Sequence, residues 1–76
     1  MTDQQKVLDT KPNWRDIPKN HEWLCQDENG RWWSFDSKPK VNLIKRWWGL
    51  DGPGESEFHG KSETNPNWRN TLEKRP

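Results

Sequence analysis

The sequence has few of the residues that normally build a hydrophobic core. Leu, Ile, Val and Phe account for 11 of its 76 residues, a share that by itself is typical of disordered chains. The net charge is only +1, however, and disorder usually accompanies a large charge imbalance. A chain of this length forms at most one small domain.

Cysteine and long apolar runs are also scarce. The single cysteine, Cys25, excludes an intramolecular disulfide, so a disulfide-stapled secreted domain is not expected. No apolar run approaches the ~20 residues of a membrane-spanning helix. Residues 1–10 lack the basic and apolar regions of a signal peptide. We therefore expect a cytoplasmic protein without membrane contact.

Tryptophan, in contrast, is abundant. The chain has seven tryptophans, and each can bury roughly 150–250 Å². That area does not offset the entropy cost of ordering the whole chain, so we expect an ordered centre of about 40–50 residues with loose ends. A homodimer is another way to supply the missing burial.

The stretch QDENGRWWSF, residues 26–35, predicts a β-hairpin. Asp27 and Gly30 occupy favoured first and fourth positions of a type I turn. Asn29-Gly30 alone would suit a two-residue type I′ turn. The pattern of apolar side chains in the flanking strands favours a three-residue loop with Gly30 in the bulge position.

The three-residue loop fixes which side chains share a face. Trp23 then faces Phe35, and Cys25 faces Trp33, so four apolar side chains lie together. Because adjacent strand residues point to opposite faces, Trp32 lies outside this core. The doublet therefore places one indole on each face of the sheet.

A third strand is predicted over residues 41–48, although Leu43, Ile44 and Trp47 also fit one face of a short helix. We favour the strand because tryptophan suits strands and a lone hairpin is marginal in water. The predicted fold class is therefore mainly β. It is a small antiparallel sheet of three strands, at about 21–27, 31–37 and 41–48.

Two PNWR boxes, at 12–15 and 66–69, form an internal repeat. We interpret each as a turn whose tryptophan, Trp14 or Trp68, docks on the sheet; a duplicated recognition motif is the alternative. The second box also fits a short helix over 66–74, because proline suits a first helical position.

These features divide the chain into four parts. They are a flexible tail (1–11), a Trp-rich β-sheet domain (12–50), an acidic Gly-rich loop anchored by Phe58 (51–64), and the C-terminal PNWR box with its helix (65–76). The predicted core comprises Trp14, Ile17, Trp23, Leu24, Trp33, Phe35, Leu43 and Trp68.

The nucleophiles and bases do not predict catalysis. Cys25 with His21 or His59 would supply a nucleophile and a base, but Cys25 lies on the predicted core face, where an inert thiol is expected. Zinc usually takes four ligands, and these three residues have no recognised spacing. We expect no enzyme, no metal and no cofactor.

Exposed tryptophan indicates a binding role instead. If each doublet splits across the sheet, two indoles lie on the second face, where aromatic surface typically marks an interaction site. The alternative is that the tail, the loop or the PNWR boxes cover them. The predicted protein-binding site comprises Trp32, Trp47 and Trp48, with Arg31, Lys45 and Arg46 at its rim.

A basic cluster supports a second hypothesis. Lys38, Lys40, Lys45 and Arg46 lie beside the second doublet, and basic residues among aromatic ones bind single-stranded nucleic acid. The segment that follows is acidic, and the chain lacks the basic excess of a dedicated nucleic-acid domain. Nucleic acid is therefore the alternative partner.

The outline resembles a WW domain. The residues that carry the resemblance are Trp23 before a turn, Trp32, Trp33 and Phe35 on the second strand, and Trp47 or Trp48 before Pro53. WW domains are three-stranded sheets that bind proline-rich ligands through an aromatic groove. The longer second loop departs from that family, so the resemblance implies a similar architecture only.

Most of residues 12–76 resembles small proteins of tailed bacteriophages and prophages. The motifs are PNWRDIP, EWLCQDENGRWWSFDSKP and the ending NPNWRNTLEKRP. In that group a Trp-rich hairpin and a terminal WR-x-x-L-x-K-RP box recur. The resemblance implies a bacterial host cytoplasm and an accessory or host-modulating role.

Overall fold

Antiparallel strands make up most of the regular structure in residues 11–76, the part of the chain that the computed structural model describes. The elements are a 3-10 helix (Trp14–Asp16), β1 (Trp23–Gln26), β2 (Arg31–Phe35), β3 (Lys40–Asn42), β4 (Trp47–Gly49), β5 (Ser56–Lys61), a second 3-10 helix (Trp68–Asn70) and β6 (Glu73–Lys74). One sheet has four strands in the order β5-β2-β1-β6, and β3 and β4 form a separate hairpin. The predicted mainly β, antiparallel fold class is confirmed.

The β1–β2 hairpin has the predicted register. Trp23 pairs with Phe35, and Cys25 pairs with Trp33. The loop is closed by the Gly30 N–H, which donates to the Asp27 carbonyl at 2.9 Å. Gly30 has a φ of 93°, and a Cβ added there would lie 2.2 Å from the Ser62 carbonyl oxygen, so both conformation and space require glycine.

Each face of the four-stranded sheet carries its own apolar cluster. The first contains Cys25, Phe35, Trp48 and Trp68, with Trp23, Trp33, Val41, Leu50 and Leu72 packed against them. The second contains Ile17, Leu24 and Trp32, with Trp14 against them. The β3–β4 hairpin and the C-terminal segment cover the first face, and the N-terminal segment covers the second.

The PNWR boxes are docking turns on opposite faces. In the first box the Asn13 side chain caps the turn by accepting from the Arg15 N–H at 2.9 Å, and Trp14 packs on the second cluster. In the second box Trp68 is buried on the first cluster, where its ring meets Trp48 edge-on at 6.0 Å. The interpretation of both boxes as turns that dock a tryptophan is confirmed.

The single third strand predicted over 41–48 is wrong. The structure has two short strands there, β3 and β4, joined by a turn over residues 43–46. Asn42 begins this turn, because its carbonyl and its side chain both accept hydrogen bonds from backbone N–H groups of the turn. Asparagine side chains that bond to the local backbone in this way compete with strand pairing. Leu43 is therefore exposed, and its predicted place in the core is also wrong.

The loop predicted over 51–64 contains strand β5, which pairs with β2. The pairing shifts register between Trp32 and Trp33, a bulge that adds one residue to β5. Glutamate and glycine lower the strand propensity of this segment, so contact with β2 rather than local sequence decides its structure. Phe58 lies against Trp33 at 5.4 Å.

The helix predicted over 66–74 is also wrong. Its helical part is the three-residue 3-10 helix at Trp68–Asn70. The Thr71 hydroxyl donates to the Trp68 carbonyl at 2.6 Å, which satisfies that carbonyl locally and ends the helix. The chain then extends into β6, which pairs with β1 at Trp23 and Leu24.

The predicted tail, 1–11, lies outside the described residues except for Lys11. Lys11 forms an ion pair with Glu73 at 2.6 Å. In the range 11–76, no helix has the length and apolar content needed to cross a bilayer.

Candidate functional site

The turn between β3 and β4 presents a cluster of exposed apolar side chains. Leu43 is 59% exposed, Ile44 92% and Trp47 44%. We call these three residues the tip patch. In the described range one other large apolar residue, Phe58, is exposed, and it packs against the Trp33 ring. The tip patch is therefore the main apolar group that projects from the surface of this range.

Hydrogen bonds hold the backbone of the tip patch in one conformation. The Asn42 carbonyl accepts from the Arg46 N–H at 2.7 Å, and the Asn42 side chain accepts from the Lys45 N–H at 3.0 Å. Arg46 closes the turn in the left-handed region, with a φ of 63°. A turn fixed in this way loses little conformational entropy when it binds a partner.

The second tryptophan doublet turns one indole inward and the other outward. Trp48 is buried, and its indole N–H donates to the Gln26 carbonyl at 3.0 Å. Trp47 points to the other side of β4, where the Lys45 ammonium lies 5.4 Å from its ring centre. Trp47 is therefore the member of the doublet that a partner can reach.

Charge around the tip patch is largely compensated. The Lys40 ammonium lies 2.8 Å from Asp51, and the Arg46 guanidinium lies 3.5 Å from Glu28. The hydrogen bond between Lys40 and Asp51, together with their opposite charges, raises the pKa of Lys40 and lowers that of Asp51. The basic patch predicted over 38–46 is therefore less positive than its sequence indicates.

The expectation that Trp32 is exposed is wrong. Its side chain is 8% exposed because Trp14 and Ile17 of the N-terminal segment cover this face of the sheet. Its indole N–H donates to the Ser62 hydroxyl at 3.0 Å. Trp32 is a core residue of the second cluster.

The six residues of the predicted binding site therefore do not form one face. Trp32 and Trp48 lie in opposite clusters, and Arg31 begins β2 with its charge near Asp27. The structure brings together Trp47, Lys45 and Arg46. Sequence reasoning missed Leu43 and Ile44 as members of this site, because it placed both in a strand.

A cleft of about 420 Å³ lies between the β3–β4 hairpin and the main sheet. Four aromatic side chains line it, Trp33 and Phe35 from the sheet and Trp47 and Trp48 from the hairpin. Asp27 contributes a carboxyl group to the same lining. The cleft was not predicted, because it depends on where the hairpin packs.

Asp27 is the ionisable group of this cleft. It is 5% exposed, and its Oδ1 accepts from the Trp48 backbone N–H at 2.8 Å. Burial raises the pKa of the Asp27 carboxyl to about 6, although the Trp48 hydrogen bond, the Trp33 side chain and the Arg31 charge all act to lower it. The net effect shows that the carboxylate is poorly compensated in the folded protein.

Cys25 has the environment of a structural thiol. It is fully buried, and burial, reinforced by the charge of Asp27, raises the pKa of the thiol far above its usual value. A protonated, inaccessible thiol is a poor nucleophile. This environment supports the interpretation of Cys25 as inert.

His21 and His59 meet at Ser34 instead of at Cys25. The His21 Nδ1 and the His59 Nε2 each lie 2.7 Å from the Ser34 hydroxyl oxygen. Glu55 lies 3.5 Å from the other nitrogen of His21, and Glu57 lies 3.7 Å from that of His59. This is a histidine–serine–histidine cluster on the second face of the sheet.

The cluster has hydrogen-bonded groups of the types that activate a serine nucleophile, but Ser34 is fully buried. A substrate has no access to its hydroxyl, so we interpret the cluster as structural. Strand alternation predicts Ser34 on the second face, as observed. The contact of His59 with Ser34 was not predicted, because residue 59 belonged to the predicted loop. Within residues 11–76, no three His, Cys, Asp or Glu side chains are grouped to hold a metal ion.

Comparison with family models, with curated proteins and with solved structures finds no significant match to the chain. The resemblances to phage proteins and to WW domains therefore stay predictions, and the site is interpreted from its geometry.

Proposed function

We propose that the protein is a non-catalytic accessory protein that binds a bacterial or phage protein through the tip patch, with Lys45 and Arg46 at the rim. One observation carries the proposal. In a chain with few aliphatic residues, Leu43, Ile44 and Trp47 project from one fixed turn instead of entering either cluster.

The cost of this arrangement supports a binding role. Fully burying a Leu or Ile side chain stabilises a fold by about 1.5–3 kcal/mol, and a small domain needs such contributions. In this protein the three apolar side chains of the tip patch lie outside the core and do not contribute in this way. Burial against a partner would recover that free energy, and tryptophan is the residue type most enriched in binding hot spots.

The proposal changes the predicted binding surface. It keeps Trp47, Lys45 and Arg46, adds Leu43 and Ile44, and omits Trp32 and Trp48, which serve the core. The location proposed for this binding is the cytoplasm of a bacterial host.

Nucleic-acid binding through Lys38, Lys40, Lys45 and Arg46 is the alternative, and the ion pairs of Lys40 and Arg46 weigh against it. Binding through phosphate contacts falls steeply with salt and disappears when nucleic acid is digested. The capture experiment below therefore includes nuclease-treated lysate.

The test compares a tip-patch variant with a matched control. The protein is immobilised and used to capture partners from nuclease-treated bacterial and phage-infected lysates. Leu43→Ser/Ile44→Ser is expected to lose the captured protein, whereas Phe58→Ser removes an exposed apolar side chain outside the tip patch and is expected to retain it. Circular dichroism of each variant checks that the fold is intact.

Two results would contradict the proposal. One is capture of the same protein by the folded tip-patch variant as by the wild type. The other is capture that depends entirely on intact nucleic acid, which would favour the alternative.

A further inference from the structure

The cleft between the β3–β4 hairpin and the main sheet has two properties that select a ligand class. Its walls are aromatic, and Asp27 is the acidic side chain in its lining. The volume of about 420 Å³ falls in the range of small-ligand sites. Aromatic faces and a carboxylate attract the same kind of group, a cation.

The charge of Asp27 is poorly compensated inside the protein. The carboxylate is buried and accepts a hydrogen bond from the Trp48 backbone. Burial raises its pKa and outweighs the hydrogen bonds from the Trp48 backbone and the Trp33 side chain and the charge of Arg31, which lower it. A cation in contact with this carboxylate would favour its ionised form.

Trp33 is a cleft indole that carries none of the protein's own cations. Within residues 11–76 the protein places its cations over other indoles: Lys38 and Lys74 over Trp23, Lys45 over Trp47, and Arg75 over Trp14. The Trp33 ring contacts Phe58 at 5.4 Å instead. The part of Trp33 that lines the cleft beside Asp27 therefore faces no cation of this range.

An acidic residue near the edge of the cleft, Asp36, also favours a cationic ligand over an anionic one. Gly54 lines the cleft, and a Cβ added to it would lie 2.9 Å from the Asp36 carboxylate oxygen. Asp36 also accepts from the Glu55 backbone N–H at 2.9 Å, which fixes its position. The negative charge of Asp36 near this edge and that of Asp27 in the lining both disfavour an anionic ligand.

We propose that this cleft binds an alkylammonium group, such as the end of a lysine side chain, beside the Trp33 indole and against Asp27. The inference rests on the proposed function, because Trp47 also belongs to the tip patch. It specifies that the bound partner presents a lysine beside its apolar contact residues.

The test uses a free cation, so it does not depend on the partner. The full-length protein is titrated with n-butylammonium chloride at constant ionic strength, and the indole N–H signals of Trp33, Trp47 and Trp48 are followed by NMR. We expect saturable shifts at these tryptophans. Sodium butanoate and n-butanol, matched in apolar length, are expected to give none.

Two variants and a pH change locate the site. Asp27→Asn retains an acceptor for the Trp48 N–H but removes the charge, and it is expected to weaken butylammonium binding by about tenfold or more. Asp51→Asn removes an exposed carboxylate from outside the cleft and is expected to bind like the wild type.

The pH dependence needs no variant. Because the pKa of Asp27 is about 6, lowering the pH from 7.5 to 5 reduces its ionised fraction, and hence the affinity, by about tenfold.

Equal binding by Asp27→Asn, a pH-independent affinity, or shifts that butanol reproduces would each overturn the proposal. If butylammonium binds the cleft while the tip-patch variant retains protein capture, the cation site stands and the tip-patch function fails. If capture depends on the tip patch but butylammonium does not bind, the reverse holds.

Discussion

The two adjacent tryptophan pairs show how one residue type supplies both core and surface. In a strand, neighbouring side chains point to opposite sides. Trp32 and Trp33 therefore divide between the two faces of the sheet, whereas Trp48 enters the first cluster and Trp47 faces outward. The two buried members of these pairs both donate their indole N–H, Trp32 to Ser62 and Trp48 to Gln26.

Trp48 and Trp47 are therefore expected to respond oppositely to substitution. Trp48→Ala should lower the free energy of unfolding by about 3–5 kcal/mol, because it leaves a cavity in the first cluster. Trp47→Ala should change it by less than about 1 kcal/mol, since little of its contact area is in the core. Urea unfolding followed by circular dichroism measures both; equal losses would show that Trp47 also supports the core.

Asp27 predicts a specific pH dependence of stability. Burial raises its pKa to about 6 in the folded protein from an ordinary value of 3.8, so the folded state binds this proton more tightly than the unfolded state. The stabilisation from Asp27 is then fully present below about pH 3.8 and is lost as the pH rises through about 6.

The matched variant isolates this effect. Between pH 4 and pH 7 the wild type should lose about 2 kcal/mol relative to Asp27→Asn, measured by urea unfolding at each pH. A constant difference between the two proteins across this range would contradict the assigned environment of Asp27.

At the scale of the elements, the β1–β2 hairpin was predictable and its neighbours were not. Asp27 and Gly30 specify the turn locally, and strand alternation selects the register. In contrast, β5 forms because β2 offers it a pairing edge, and the turn at 43–46 depends on the Asn42 side chain. The pairing of β5 with β2 is a tertiary contact, and the Asn42 turn overrides the strand propensity of its segment. The periodicity of apolar residues in the sequence therefore does not predict either of them.

Gly30 tests the turn at this scale. Gly30→Ala should destabilise the fold by about 2–3 kcal/mol, because alanine resists its positive φ and the added Cβ would clash with the Ser62 carbonyl. Gly52→Ala is the control, since a Cβ at Gly52 meets no atom within 4 Å. Thermal unfolding compares the two; similar melting temperatures would show that the turn tolerates a side chain.

The candidate site was predictable only in part for the same reason. Trp47, Lys45 and Arg46 follow from composition and charge in the sequence. Leu43 and Ile44 have the same apolar character as core residues, and their exposure follows from the turn. The histidine–serine–histidine cluster needs β5 beside β2, and the cleft needs the packed hairpin, so neither follows from the local sequence.

At the scale of the whole molecule, the two ends of the described range meet. The Arg75 guanidinium donates to the carbonyls of Ile17, Pro18 and His21 at 3.3, 2.7 and 2.8 Å, and its centre lies 4.7 Å from the Trp14 ring. This contact holds the N-terminal segment over the second face, where it covers Trp32.

The covering of both faces is the reason why the proposed binding surface is a turn and not a sheet face. The N-terminal segment covers one cluster, and the β3–β4 hairpin with Trp68 covers the other. The tip patch lies beyond this packing. The homodimer that the sequence leaves open stays a prediction, and it would use a surface outside these two clusters.

The central claim is that Ile44 and its neighbours touch the partner. Site-specific photo-crosslinking tests it most directly, with p-benzoylphenylalanine placed either at Ile44 or at the exposed Lys19 on the N-terminal segment. After irradiation in phage-infected cells, we predict one discrete crosslinked protein from position 44 and none from position 19. No crosslink from position 44, or the same species from both positions, would contradict the claim.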